Sequence, residues 1–378
     1  AGHLGQNHQK GHSMKNTRVG GWVALALALS LGVASAATIS WINPVGGDFS
    51  DTGNWQGGVA PGAVDGAVFT NEANYEVLVD ASVSNSAAVF NAPSTEVTLN
   101  LASGISWSFT NNFYVGSSNQ SHASVVVMGG GLVTPKYGKI SQGSNSAAQL
   151  VIRDATCLFT NTGNTGLDVG CAINNGLSSG TVELATSDSV LIVTNGTGIA
   201  LGGSGDSSNH SNNYGKLIIR GGVVRTTGLR APFGATSSAD ILIETGTLIN
   251  AGTTAINLGS GFGPGTGRLV MASADAMLVS TAGASTALLM VGDKAGTLGV
   301  FQMSNGVAQV NDMNAGNLGV GLVTVENQSV LLVTNAFTIG TITGGMGTVT
   351  LSGEAEVMAK NLYVGDNGVG TLTLLGDS

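Results

Sequence analysis

The chain has 378 residues, of which 42% are hydrophobic, 9% charged and 5% aromatic, with 59 Gly and 6 Pro. So few charges beside so much Val, Ile, Leu and Thr exclude a solvated disordered body, which needs high net charge and few β-branched residues. A net charge of -9 excludes nucleic acid and anionic lipid as partners, since both require a basic surface.

Residues 1–13 carry His3, His8 and His12 and precede Met14, and they are expected to be upstream or added residues outside the fold. From Met14 a short basic start with Lys15 and Arg18 leads into the apolar run Val23 to Leu31 and then into the small residues Ala34, Ala36 and Ala37. This is the layout of a secretory signal peptide over residues 14–36, cleaved after Ala36. The apolar run is too short for a bilayer, which takes roughly 20 residues, so no transmembrane segment is expected in the mature chain. Cleavage removes Lys10, Lys15 and Arg18 from the 13 basic residues and none of the 22 acidic ones, leaving a mature net charge of -12. Only His122 and His210 then remain, too few for a His-based metal site or a Ser/His/Asp relay.

Residues 37–112 hold Trp41, Trp55 and Trp107 with Pro44, Pro61 and Pro93 and lack a clean repeat. They are expected to form an N-terminal cap and the first coils. The three Trp are expected to be buried there rather than to stack on sugars, given alternation such as Ile105-x-Trp107-x-Phe109.

Residues 113–378 repeat one unit. A small residue followed by alternating apolar positions begins at Ala123, Ala148, Gly180, Gly215, Ala239, Gly267, Gly299, Gly321, Gly347 and Gly370, at steps of 22 to 35 residues. Between these lie apolar-Gly pairs: Val115-Gly116, Val169-Gly170, Leu201-Gly202, Phe233-Gly234, Leu258-Gly259, Val291-Gly292, Leu318-Gly319, Ile339-Gly340 and Val364-Gly365. A third apolar stretch sits between the two landmarks, as in Val190 to Val193 and Val330 to Val333. Period-2 alternation makes each a strand, and the Gly permits the φ > 0 bend at a corner. Three strands per unit predict an all-β parallel β-helix (β-solenoid) of about ten coils. A two-layer sandwich is the rival architecture. The chain stops a few residues into the repeat that starts at Gly370, so a C-terminal truncation is expected.

The run from Gly347 to Gly353 and the run from Val364 to Leu374 resemble autotransporter-associated β-strand repeats of bacterial surface proteins. The opening Trp41 to Phe69 stretch, with Gly47-Asp48-Phe49, Asn54-Trp55, Pro61 and Asp65, is similar to the start of exported repeat proteins, including PEP-CTERM-type ones. The resemblance implies a right-handed helix at or beyond the cell surface, serving as an adhesin or structural stalk.

Catalysis on such a scaffold needs convergent carboxylates, commonly with a basic residue. Asp168 precedes a corner, Asp293 and Asp366 follow corners, and each is expected to stand alone in its coil as a solvent-facing charge. Arg220, Arg225 and Arg230 are close enough in sequence to line one side. Gly202-Gly203-Ser204-Gly205-Asp206 resembles one calcium-binding turn but occurs once, and with the polar run Ser207 to Asn213 it reads as an insertion tip. Thr348/Thr350 and Thr371/Thr373 would stack into two ranks, too few for an ice-binding face. Cys157 and Cys171 are the only cysteines, and spacing leaves open whether they pair.

No catalytic, cofactor-binding or metal-ligating residue is therefore assigned. The expectation is a non-enzymatic surface protein, secreted or cell-surface, whose partner is a surface glycan or another cell-surface or matrix protein. A carbohydrate-active β-helix with its residues on the inserts near 160–180 and 203–214, or a pure glycan-binding module, is the alternative.

Overall fold

A computed structural model describes residues 36–160, 166–172, 176–194, 198–204, 210–281 and 288–376. It is all-β apart from two short 3-10 turns at Thr52–Asn54 and Gln56–Gly58, and every strand pairing between named strands is parallel. The strands stack into three ladders, giving a β-solenoid of about 12 turns. The estimate of ten coils from sequence falls short because the turns holding Tyr75–Val79 and Glu96–Leu101 join the same ladder from within the region assigned to the cap, with Ala73 at the repeat-start position of the first and Thr95 in place of a small residue at that of the second.

That ladder runs through every repeat start read from the sequence. Ala148 pairs with Gly180, Gly180 with Gly215, Gly215 with Ala239, and so on through Gly347 with Gly370. In-register stacking turns the alternation along each strand into rows. Val182, Leu217, Ile241, Leu269, Phe301 and Val323 form one interior row, each at most 1% exposed. No coil can bury its inward side chains alone; the coils above and below provide the apolar contacts and the backbone acceptors together.

The corners explain the glycine content. Gly116, Gly170, Gly202, Gly259, Gly292, Gly340 and Gly365 all have φ between 64 and 77°. Each donates its N–H to the corner of the preceding turn, as Gly292 does to Leu258 O at 2.8 Å. Two corners differ from the sequence reading. The corner near Leu318 is Ala315-Gly316, with Gly316 at φ 73° and bonded to Val291 O. The corner near Phe233 is taken by Pro232, because Ala231 rather than Phe233 pairs with Leu258. A further corner has no glycine to mark it: Ile140 pairs with Val115 and Val169, so Ser141 takes the bend at φ 64°.

The first turns are filled by aromatic side chains. Trp41, Trp55 and Trp107 are at most 1% exposed, as expected, and pack with Phe49, Phe69 and Phe90. Each indole finds an acceptor: Trp41 Nε1 bonds Asn43 O, Trp55 Nε1 bonds Phe49 O at 2.7 Å, and Trp107 Nε1 bonds Asn85 Oδ1 at 2.7 Å. At the other end the last described turn leaves Leu362, Val369 and Leu374 about half exposed or more. Cys157 and Cys171 are both buried and are not joined by a disulfide. Burial pushes the Cys157 thiol up to about 12. No helix among the described residues is long and apolar enough to cross a membrane.

Candidate functional site

One outward-facing row carries two buried or half-buried polar clusters. Register places Tyr114, Lys139, Asp168, Ala200, Arg230, Asn257 and Met290 on successive rungs of one ladder. They alternate with inward neighbours such as Ile140, Val169 and Leu258, so the row faces away from the core. Two clusters form along it.

In the first, Lys139 and Asp168 stand on adjacent rungs yet are 4% and 0% exposed. Tyr137 Oη and Ser204 Oγ both donate to Asp168 Oδ2, and Lys139 Nζ sits 5.4 Å from the Tyr137 ring centroid. Burial, followed by the Asp168 charge, pushes the Tyr137 hydroxyl far above its ordinary range and keeps it a donor. Beside this, His210 Nδ1 and Asn213 Nδ2 donate to Ala172 O, and Ser178 Oγ donates to Asn213 Oδ1. These side chains tie the ends of the inserts onto the solenoid. A general acid or base must reach its substrate, and Asp168 is enclosed.

The second cluster is an open cleft of about 530 Å³, whose Arg230 stands two rungs beyond Asp168. Arg230 and Asn257 line it from adjacent strands, Leu229–Ala231 and Ile256–Leu258, with Ser260, Phe262, Asp293 and Lys294 around them. The Arg230 guanidinium carbon lies 5.1 Å from the Phe233 ring centroid, and Phe262 meets Phe233 edge-on at 5.3 Å while remaining 63% exposed. Asp293, 4% exposed, accepts from Asn317 Nδ2 at 3.0 Å and has Lys294 Nζ 3.9 Å away. Partial burial holds the Arg230 guanidinium below its ordinary range, and the Asp293 charge opposes that. The Asn257 side-chain oxygen is buried without a hydrogen-bond partner.

These positions correct the sequence reading in four ways. Asp168 and Asp293 are buried rather than solvent-facing: Tyr137 and Ser204 from the neighbouring turns close over Asp168, and Asn317 from the following turn bonds Asp293. Neither is alone: Asp168 has Tyr137, Ser204 and the Lys139 rung beside it, and Asp293 has Asn317 and Lys294. The three arginines do not share a side. Arg220 follows a strand of another ladder and bridges Glu183 and Glu244 at 2.8 and 2.6 Å, Arg225 is exposed on the third face, and Arg230 lines the cleft. The segment read as an insertion tip has His210 and Asn213 buried, while its Gly205–Asn209 part lies outside the described residues.

Asp366 is exposed, as expected. Thr348 and Thr371 occupy adjacent rungs, with Leu322 on the next. The inserts suggested for catalysis are described only in part, since 161–165, 173–175 and 205–209 lie outside the described residues. Among the described residues no group of three or more His, Cys, Asp or Glu is arranged to hold a metal ion. The sequence reading misses Tyr137, Lys139, Asn257 and Phe262. Aligning Ile140-Ser141 with Val169-Gly170 as equivalent corners would put Lys139 beside Asp168, and the absent glycine hides that alignment.

No family model, no curated protein and no solved structure matches the chain.

Proposed function

We propose that the chain is a non-enzymatic exported surface protein, a stalk or adhesin on a right-handed parallel β-solenoid, whose partner is a surface glycan or another cell-surface or matrix protein. The observation that carries the reading is the unbroken register of the 13-stranded ladder, which commits most of the sequence to extension. The sparse charge along that extension and the presence of one carboxylate, Asp293, among the described residues that line the cleft agree with it, because glycoside hydrolysis works through two. The basic, apolar and small residues of 14–36 support export and a secreted or cell-surface location.

A carbohydrate-active β-helix is the second reading, favoured by the presence of Arg230 and Asp293 in one cleft. Incubating the purified chain with neutral and acidic polysaccharides and analysing products by mass spectrometry separates the two. The proposal expects no new chain ends; products that disappear in Asp293→Asn would replace it with the enzymatic reading.

A further inference from the structure

We propose that the Arg230 cleft is a binding site for one carboxylate-bearing sugar unit, a hexuronate, within an acidic polysaccharide. This deepens the adhesive reading above and rests on it for the setting, but the site stands on its own geometry.

Arg230 is half-buried, and no hydrogen bond or ion pair reaches its guanidinium from the described residues. Its close companion, the Phe233 ring, offers a π face and no lone pair, so its five N–H donors have no acceptor among the described residues. Asp293 does not fill that role: its oxygens are engaged by Asn317 and approached by Lys294. A partly desolvated guanidinium without an acceptor is costly to leave so, and a carboxylate matches its fork with two parallel bonds. Arg230 and Lys294 against Asp293 leave the cleft one positive charge in excess, the complement of a single carboxylate.

The rest of the lining points to a sugar rather than to an acidic peptide. Asn257 brings an amide with an unpaired oxygen, and Asp293 and Ser260 add oxygen groups suited to hydroxyls. The exposed Phe262 ring provides an apolar face for pyranose C–H groups. Adding a peptide as a further strand takes a free sheet edge, and here the strands Leu229–Ala231 and Ile256–Leu258 are paired on both sides, which removes that mode. The volume of about 530 Å³ lies within the range of small-ligand sites.

The test is calorimetric titration of the full chain with trigalacturonate, with galactotriose as the neutral counterpart and tri-aspartate as the peptide arm. Trigalacturonate alone is expected to bind saturably. Arg230→Gln is expected to weaken it about ten- to a hundredfold, as loss of hydrogen bonds to a charged group does. Phe262→Ala, which changes an exposed ring, is expected to weaken it about two- to tenfold. Arg225→Gln, exposed on another face, should leave it unchanged. Absence of saturable binding, equal binding of galactotriose or tri-aspartate, or an unaffected Arg230→Gln would overturn the site. Cleavage of bound trigalacturonate would uphold the site and overturn the non-enzymatic reading, so the two failures are distinguishable.

Discussion

At the scale of single residues, the corner sets the strictest demand. Gly292 has φ 77°, and a Cβ there would overlap the Val320 backbone of the next turn. An L side chain meets both a strained conformation and a backbone that cannot move without parting two rungs. Gly292→Ala is expected to cost at least about 1 kcal/mol, read as a lowered midpoint in urea unfolding; an unchanged midpoint would show that the turns are not in this contact. Ser141 shows how a non-glycine corner survives at φ 64°: its hydroxyl lies within hydrogen-bonding reach of the Ser146 carbonyl and hydroxyl. The same scale accounts for the thiols. Cys157 faces inward between Val133 and Leu191, and its raised pKa keeps it in the thiol form, so it is a packing residue.

At the scale of the element, a strand's contribution depends on having neighbours on both sides. Leu269 lies between Ile241 and Phe301 at 0% exposure, whereas Leu374, in the last described turn, is 60% exposed. Leu269→Ala is expected to destabilise by about 2–5 kcal/mol and Leu374→Ala by well under 1 kcal/mol, measured side by side by urea unfolding. Equal effects would contradict the stacking. This dependence on neighbours also decides what can be read in advance. The repeats starting at Gly180, Gly215, Gly267 and Gly299 are legible because a small residue is required there: a Cβ on Gly299 would collide with the Gly292 backbone nitrogen. The strands Tyr75–Val79 and Glu96–Leu101 obey the same alternation, but Thr95 stands where the second would carry the small residue, so Ala73 before the first is left without a neighbouring match and from sequence both fall in the region before the clean repeat. The cleft is the least legible part. Arg230 and Asn257 meet only through rung register, 27 positions apart, and the corner that would align them carries Pro232 instead of glycine.

At the scale of the whole molecule, the described residues share one continuous interior from Trp41 to Ala355, and what the outer surface presents follows from the register of the stack. A one-residue slip in any turn would send that turn's core row outward and break the line of Lys139, Asp168, Arg230 and Asn257 on which both polar clusters depend. Surface ion pairs such as Arg220 with Glu183 and Glu244 add little by comparison, being exposed and screened. Everything the surface presents therefore depends on the register, and the register is measurable as a distance. Lys216, Asp240, Arg268, Val300, Leu322, Thr348 and Thr371 occupy successive rungs of one ladder. Spin labels on Lys216→Cys and Thr371→Cys, with the buried native thiols left unlabelled, should give a pulsed-EPR distance of about 29 Å, six rungs of roughly 4.8 Å. A single narrow distribution there is the predicted result; one centred below about 20 Å, as folding the two halves face to face would produce, would contradict the stacked solenoid and the cleft with it.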